Sequence, residues 1–164
     1  MIKRGFTLIE LIIVIAVISI LAGAIFVAVD PARRLHETRN ARRWSDVTTI
    51  LDAIKKYQAD NEGEHYSEVD SLTNDFVYTI GTEKGAVCEI SCGDETPDVN
   101  CVDLSGMGTN YLAIVPVDPK DGTAAITQYA IEKDSNGAIT VYSCSAEGEG
   151  AGGSGEAPDI RVTR

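Results

Sequence analysis

One carboxylate, Glu10, stands within the most apolar part of the sequence. Between Leu11 and Val29, only Ser19 and Gly23 interrupt a run of Leu, Ile, Val, Ala and Phe. A charged side chain inside a membrane segment costs roughly 2.5 to 3.5 kcal/mol, so such a residue usually has a partner. We therefore expect Glu10 to pair with a positive group. The alternative is a glutamate that merely extends toward the lipid headgroups.

Four cysteines form the second group of residues with a distinctive chemistry: Cys88, Cys92, Cys101 and Cys144. An even number of cysteines in a small region that follows an apolar segment is typical of two disulfides in an oxidising compartment. Three pairings are possible, and the sequence does not separate them. Three of the cysteines together with His65 could also suggest zinc, but their spacings are not those of a zinc module.

Acidic residues in the C-terminal half offer a weak calcium site. The candidates are Asp118 and Asp121, together with Asp134 and Asn136. No complete oxygen-ligand motif is present, and turns favour Asp and Asn for their own hydrogen bonds. We expect no other cofactor.

An enzymatic activity is not expected. The chain has two histidines, His36 and His65, one in a basic segment and one in a predicted loop. Neither a Gly-rich phosphate loop nor a nucleophile motif accompanies them.

The apolar run around Glu10 is long enough to cross a membrane. As a helix it spans roughly 30 to 36 Å, so it is a membrane segment or a signal sequence. An ordinary secretory signal has a shorter apolar core with a small-residue cleavage site after it. Cleavage there would also separate the rest of the chain from its anchor.

Charges on the two sides of this run give conflicting indications of its orientation. Lys3 and Arg4 precede it, and five arginines follow it, at positions 33, 34, 39, 42 and 43. Counted alone, these charges would place the C-terminal region in the cytoplasm. The cysteines indicate the opposite, because four thiols would have no obvious chemistry there. We expect a single-pass protein of the cytoplasmic membrane whose C-terminal region lies outside the cytoplasm.

The charge of the chain is divided between a basic stalk and an acidic head. Residues 30–61 carry seven Lys/Arg against five Asp/Glu, whereas residues 62–164 carry five against nineteen. An acidic head disfavours nucleic acid or anionic lipid as its direct partner. The stalk arginines could contact DNA, but packing against acidic neighbours or lipid headgroups is the simpler expectation.

A long helix is predicted from Phe6 to near Asp60, with a kink where Asp30-Pro31 removes a helical hydrogen bond. Beyond the kink, an apolar stripe recurs mainly at three- and four-residue steps. Its members are Leu35, Trp44, Val47, Leu51, Ile54 and Tyr57. This stripe is expected to pack on the head.

The rest of the chain predicts an antiparallel sheet, so the fold class is α+β. Strands are expected at 111–115, 124–132 and 138–143, with turns at Asp121-Gly122 and Asn136-Gly137. Residues 146–164 are predicted to form a flexible, acidic, Gly-rich tail with a possible edge strand around Ile160 and Val162. The predicted segments are residues 1–5, 6–29, 30–61, 62–110 (a disulfide-containing loop region), 111–145 and 146–164.

The opening MIKRGFTLIELIIVIAVISILA resembles the class III signal of type IV prepilins and of the pseudopilins of type II secretion. The resemblance rests on a short basic leader, Gly5, Phe6, a Thr-Leu pair and Glu10 before an unbroken apolar run. It implies that a prepilin peptidase cuts between Gly5 and Phe6 and methylates the new Phe6 amine. It also implies that Glu10 meets the N-terminal amine of a neighbouring subunit and fixes the axial register.

The resemblance implies a structural function. The leading hypothesis is a pilin, a subunit that joins identical or homologous subunits in an extracellular filament for adhesion, motility or DNA uptake. The implied partners are the prepilin peptidase, an inner-membrane assembly platform and, before assembly, the membrane itself. A pseudopilin of a type II secretion system is the alternative. A membrane-anchored adhesin that does not polymerise is a second alternative.

Overall fold

The computed structural model of the protein describes residues 5–83, Cys88, Cys92 and residues 101–164. Two helices follow each other at the N-terminal end: α1 covers Leu8–Val29 and α2 covers Pro31–Asp60. A short helix, α3, covers Ser67–Asp70. The long N-terminal helix with an interruption at Asp30-Pro31 is therefore confirmed.

The head contains a four-stranded antiparallel sheet, which confirms the α+β class. Its strands are β1 (Val77–Thr79), β2 (Tyr129–Lys133), β3 (Ile139–Ser143) and β4 (Arg161–Thr163), paired in the order of the chain. Helix α2 packs on β3 and β4. The edge strand expected around Ile160 and Val162 is present as β4.

The first predicted strand of the meander is absent, since residues 111–115 form a turn. The N–H groups of Tyr111 and Leu112 both donate to the carbonyl of Gly108 at 3.1 Å. The place beside β2 is taken by β1, from a region that was predicted to be mainly loop. The strand predicted over 124–132 begins only at Tyr129, because Gln128 has a φ of +65°.

The core lies between α2 and the sheet. Val47, Ile50, Leu51 and Ile54 of α2 are fully buried in one hydrophobic cluster with residues of β1, β2 and β3. The predicted stripe is right for Val47, Leu51 and Ile54 but wrong at its N-terminal end. Leu35 is 49% exposed and Trp44 is 42% exposed. The buried face continues instead through Arg43 and Asn40, which have polar partners in the head.

The C-terminal tail also differs from its prediction. Residues 147–153 lie along the first half of α2, and a 3₁₀ turn covers Ala151–Gly153. Polar groups of α2 hold this stretch, so its glycine content does not make it a free linker.

Candidate functional site

The N-terminal end of α1 is shaped by a reciprocal pair of hydrogen bonds between Thr7 and Glu10. Thr7 is the N-cap, and its hydroxyl accepts from the Glu10 N–H at 3.3 Å. In return, one Glu10 carboxylate oxygen accepts from the Thr7 N–H at 2.9 Å. This capping box supplies two of the acceptors that the first turn of a helix lacks.

The capping box turns the Glu10 carboxylate toward the segment that contains the predicted cleavage point. Phe6, one residue before the cap, is 86% exposed, and no atom of the described residues lies within 4 Å of the place where a Cβ on Gly5 would stand. The described part of the chain therefore leaves Gly5 and Phe6 uncovered. The basic leader residues Lys3 and Arg4 lie outside the described residues.

Helix α1 offers a continuous apolar surface to a partner. The described part of the chain buries none of its 22 residues. At 1.5 Å per residue its length is roughly 33 Å, and it is apolar enough to cross a membrane. Of the twenty large apolar side chains that are exposed in the described part of the chain, sixteen lie between Phe6 and Val29.

A buried ionic cluster joins α2 to the head. The fully buried guanidinium of Arg43 donates from Nε to Asp118 Oδ2 at 2.6 Å and from Nη2 to Asp118 Oδ1 at 3.1 Å. Its Nη1 donates to Glu147 Oε2 at 2.9 Å and to Asn40 Oδ1 at 2.8 Å. Each charge in the cluster therefore has an opposite charge and hydrogen bonds to offset its desolvation.

The carboxylates of this cluster stay ionised. Burial alone would raise the pKa of Asp118, but the hydrogen bonds from Arg43 and from the N–H groups of Lys120 and Asp121 outweigh it and lower that pKa. Burial likewise opposes ionisation of Glu147, and the hydrogen bond and charge of Arg43 lower its pKa.

The calcium site predicted at Asp118 and Asp121 remains untested, and the geometry disfavours it. Both carboxylate oxygens of Asp118 accept from N–H donors, including the Arg43 guanidinium, which a cation would have to displace. Asp134 serves its own turn by accepting from the N–H groups of Asn136 and Ala138.

All four cysteines are paired in disulfides. Cys88 is bonded to Cys101 and Cys92 to Cys144, which selects one of the three possible pairings. The sulfurs are therefore unavailable to zinc. The second bridge ties the end of β3 to a residue 52 positions earlier in the chain.

The stalk arginines mainly contact acidic side chains of the same chain. Arg33 and Arg34 pair with Glu37, Arg42 approaches Asp46 at 3.7 Å, and Arg39 contacts Glu147 at 3.0 Å. This arrangement agrees with the simpler of the two expectations for these residues.

The sequence alone did not predict that three polar residues would contact one another in the buried cluster: Asn40, Arg43 and Glu147. The steps of three and four residues from Asn40 to Arg43 and then Val47 continue the buried face, but polar residues do not count in an apolar stripe. The sequence shows this spacing, but it does not show that Glu147, 104 residues after Arg43, supplies the opposite charge.

Comparison with protein families supports the resemblance of the N-terminus. Residues 1–26 match the family described as the prokaryotic N-terminal methylation motif. This motif is the class III prepilin signal of type IV pilins and pseudopilins, which are structural proteins that are not known as enzymes. No curated protein and no solved structure matches the chain. The signal and the apolar helix indicate a membrane-anchored precursor of the pilin or pseudopilin type.

Proposed function

We propose that this chain is a pilin, a structural subunit that is cleaved between Gly5 and Phe6 and then polymerises through α1 into an extracellular filament. One observation carries the proposal: the methylation motif at residues 1–26 coincides with a helix whose apolar surface the described part of the chain leaves uncovered. The head, by contrast, has its own core between α2 and the sheet.

Cleavage at Gly5 changes the chemistry at the helix start. It converts the Phe6 nitrogen from an amide into an amine, which carries a positive charge at neutral pH. In the single chain, the Glu10 carboxylate accepts hydrogen bonds from Thr7. The methylated Phe6 amine of a neighbouring subunit is a stronger partner because it adds a charge, and their pairing sets the axial register.

Burial of α1 determines where subunits meet. In the membrane, lipid covers this surface. A subunit that leaves the membrane loses that cover, and each large apolar side chain left in water forfeits about 1.5 to 3 kcal/mol. Subunits therefore place α1 against the α1 helices of their neighbours, with the acidic heads outside.

The head is built for an extracytoplasmic environment. Two disulfides stabilise it, and such bonds persist in oxidising compartments. The proposed path of the chain thus begins in the cytoplasmic membrane, where the prepilin peptidase and the assembly platform act, and ends on the cell surface.

The test is mass spectrometry of the protein sheared from cell surfaces, with electron microscopy of the same fraction. We expect filaments whose subunits begin at a methylated Phe6 and contain two disulfides. Filaments on the surface separate a pilin from a secretion pseudopilin, which would be short, periplasmic and required for protein export. A chain that still begins at Met1 and remains monomeric in detergent would overturn the proposal in favour of an anchored adhesin.

A further inference from the structure

The stretch GEGAGGSG at residues 148–155, hereafter the glycine loop, has the composition of a flexible linker but a closed conformation. The Gly150 N–H donates to the Ser154 carbonyl at 2.7 Å, and the Gly153 N–H donates back to the Gly150 carbonyl at 3.0 Å. The Ser154 hydroxyl adds a bond to the Ala151 carbonyl at 2.6 Å. The loop is therefore a folded unit.

The fold of the loop requires glycine at two kinds of position. Gly152, Gly153 and Gly155 have φ values between +68° and +90°, where other residues are strained. A Cβ on Gly148 or Gly150 would stand 2.5 or 2.6 Å from a backbone oxygen. Glycine is therefore required here by the geometry of an ordered, tight turn, and its presence does not indicate flexibility.

The loop is bound to α2 along its first three turns. At its start, Asn40 pairs with the Glu147 backbone: its Nδ2 donates to the carbonyl at 2.6 Å and its Oδ1 accepts from the N–H at 3.0 Å. His36 Nδ1 lies 2.9 Å from the Gly148 carbonyl. A Cβ on Gly153 would approach the His36 ring to 2.6 Å, so the loop lies directly on this side chain.

The far end of the loop reaches the junction between the two helices. The Gly152 N–H donates to Asp30 Oδ2 at 2.7 Å, while Asp30 Oδ1 caps α2 by accepting from the Arg33 N–H at 3.3 Å. Asp30 has a φ of +45°, unusual for a residue other than glycine. One carboxylate thus joins the helix junction to the head.

This junction has few restraints of its own. Pro31 has no N–H to donate, which removes one helical hydrogen bond. Two backbone hydrogen bonds end at Asp30 from opposite sides, its N–H donating to Phe26 O at 3.3 Å and its carbonyl accepting from the Arg34 N–H at 3.2 Å. Without a further contact, the direction of α1 relative to the head would depend on the torsions of Asp30.

We infer that the glycine loop is a clasp that fixes the direction of α1 relative to the head by holding Asp30. The clasp begins four residues after Cys144, whose disulfide secures that end of β3. The direction of the membrane helix is therefore set by a segment more than 100 residues away in the chain. The inference goes beyond the proposed function, because it concerns the geometry of one subunit whether or not subunits polymerise.

The test uses the full chain in lipid nanodiscs with Asp30→Asn and Gly153→Ala. Asn tolerates a positive φ as Asp does, but it has one acceptor oxygen for the two N–H donors. Gly153→Ala pushes the loop away from His36. Spin labels carried on unnatural amino acids at Ile25 and Thr163 report the distance between α1 and the sheet. Hydrogen exchange reports opening of residues 148–155.

Each variant has a matched control. Asp134→Asn changes another turn-capping aspartate, and Gly63→Ala places a Cβ at a φ of +92° with no atom within 4 Å. We expect both clasp variants to broaden the distance distribution and to speed exchange of the loop about tenfold, as loss of a hydrogen bond does. The controls should match the natural chain in both readouts. A narrow, unshifted distance in both clasp variants would overturn the inference.

Discussion

At the scale of single residues, Glu10 has the clearest proposed role in assembly. In the single chain its carboxylate closes a capping box with Thr7. The free-energy cost of a charge within an apolar segment exceeds what a helix cap contributes to stability. The proposed pairing with the Phe6 amine of a neighbour accounts for the difference.

We predict that Glu10→Ala leaves membrane insertion intact and abolishes filaments. Removing a charge favours insertion, whereas the neighbour's amine loses its partner and the subunits lose their register. Membrane fractionation and electron microscopy of sheared surfaces measure the two effects. Glu37→Ala is the control, since Glu37 pairs with Arg33 and Arg34 of its own chain. Normal filaments from Glu10→Ala would refute the role of this residue.

Arg43 has an equally sharp role in the head. Arg43→Leu would leave Asp118 without its cation and Glu147 with its contact to Arg39, and breaking a buried pair in this way costs about 3 to 5 kcal/mol. Arg42→Leu, the same change one residue earlier, removes an exposed contact of 3.7 Å to Asp46 and should cost about 0 to 1 kcal/mol. Urea denaturation of the two variants compares these losses. Equal losses in the free energy of unfolding would show that the buried contacts of Arg43 stabilise the head no more than the exposed contact of Arg42 does.

At the scale of elements, three features were predictable from the sequence: α1, the interruption at Asp30-Pro31, and the part of the buried face of α2 formed by Val47, Leu51 and Ile54. Long runs with one periodicity depend on local information, which the sequence carries directly. The buried residues on the N-terminal side of Val47, which are Asn40 and Arg43, were not predictable in the same way. There, Arg43 is buried because Asp118 and Glu147 come from remote segments to meet it.

The head sheet was predictable only in part, for a related reason. The turn at Asn136-Gly137 correctly indicated the β2–β3 hairpin, because a hairpin is a local structure. The partner on the other edge of β2 is β1, about 50 residues earlier, and no local pattern distinguishes it from residues 111–115. The glycine loop was predicted to be a flexible linker because glycine is typical both of flexible segments and of ordered turns with positive φ values.

The two disulfides should differ in their effect on stability. A disulfide lowers the entropy of the unfolded chain, and this loss grows with the logarithm of the number of residues in the loop that the disulfide closes. The separations are 13 residues for Cys88–Cys101 and 52 for Cys92–Cys144. Replacing each pair with alanine should therefore cost about 3 and about 4 kcal/mol respectively. Urea denaturation measures both, and a larger loss from the shorter bridge would contradict this ranking.

At the scale of the whole molecule, the chain separates into an apolar helix that the described residues leave uncovered and a head with its own core. Only four large apolar side chains outside residues 6–29 are exposed in the described part of the chain, namely Leu35, Trp44, Phe76 and Ile114. We predict that a chain lacking residues 1–29 is monomeric in water with both disulfides formed, whereas the full chain needs detergent. Light scattering after size-exclusion chromatography measures the difference. A head that associates without α1 would indicate a second contact surface.

The lowered pKa values of Asp118 and Glu147 contribute to the acid response of the whole head. A carboxyl group whose pKa is lower in the folded state binds fewer protons there than in the unfolded state, so it stabilises the fold above its ordinary pKa. The ordinary values are 3.8 and 4.5. We expect a constant contribution from these groups to stability above about pH 5.5, where both are ionised in either state, and a progressive loss as the pH falls below that.

The free energy of unfolding from urea titrations at pH 7, 4.5 and 3 tests this predicted dependence of stability on pH. Because Arg43 lowers both pKa values, Arg43→Leu should weaken the acid dependence of the free energy of unfolding, whereas Arg42→Leu should keep it. A natural chain that gains stability toward pH 3 would contradict the assignment, since the cluster would then have to fold with its carboxyls protonated.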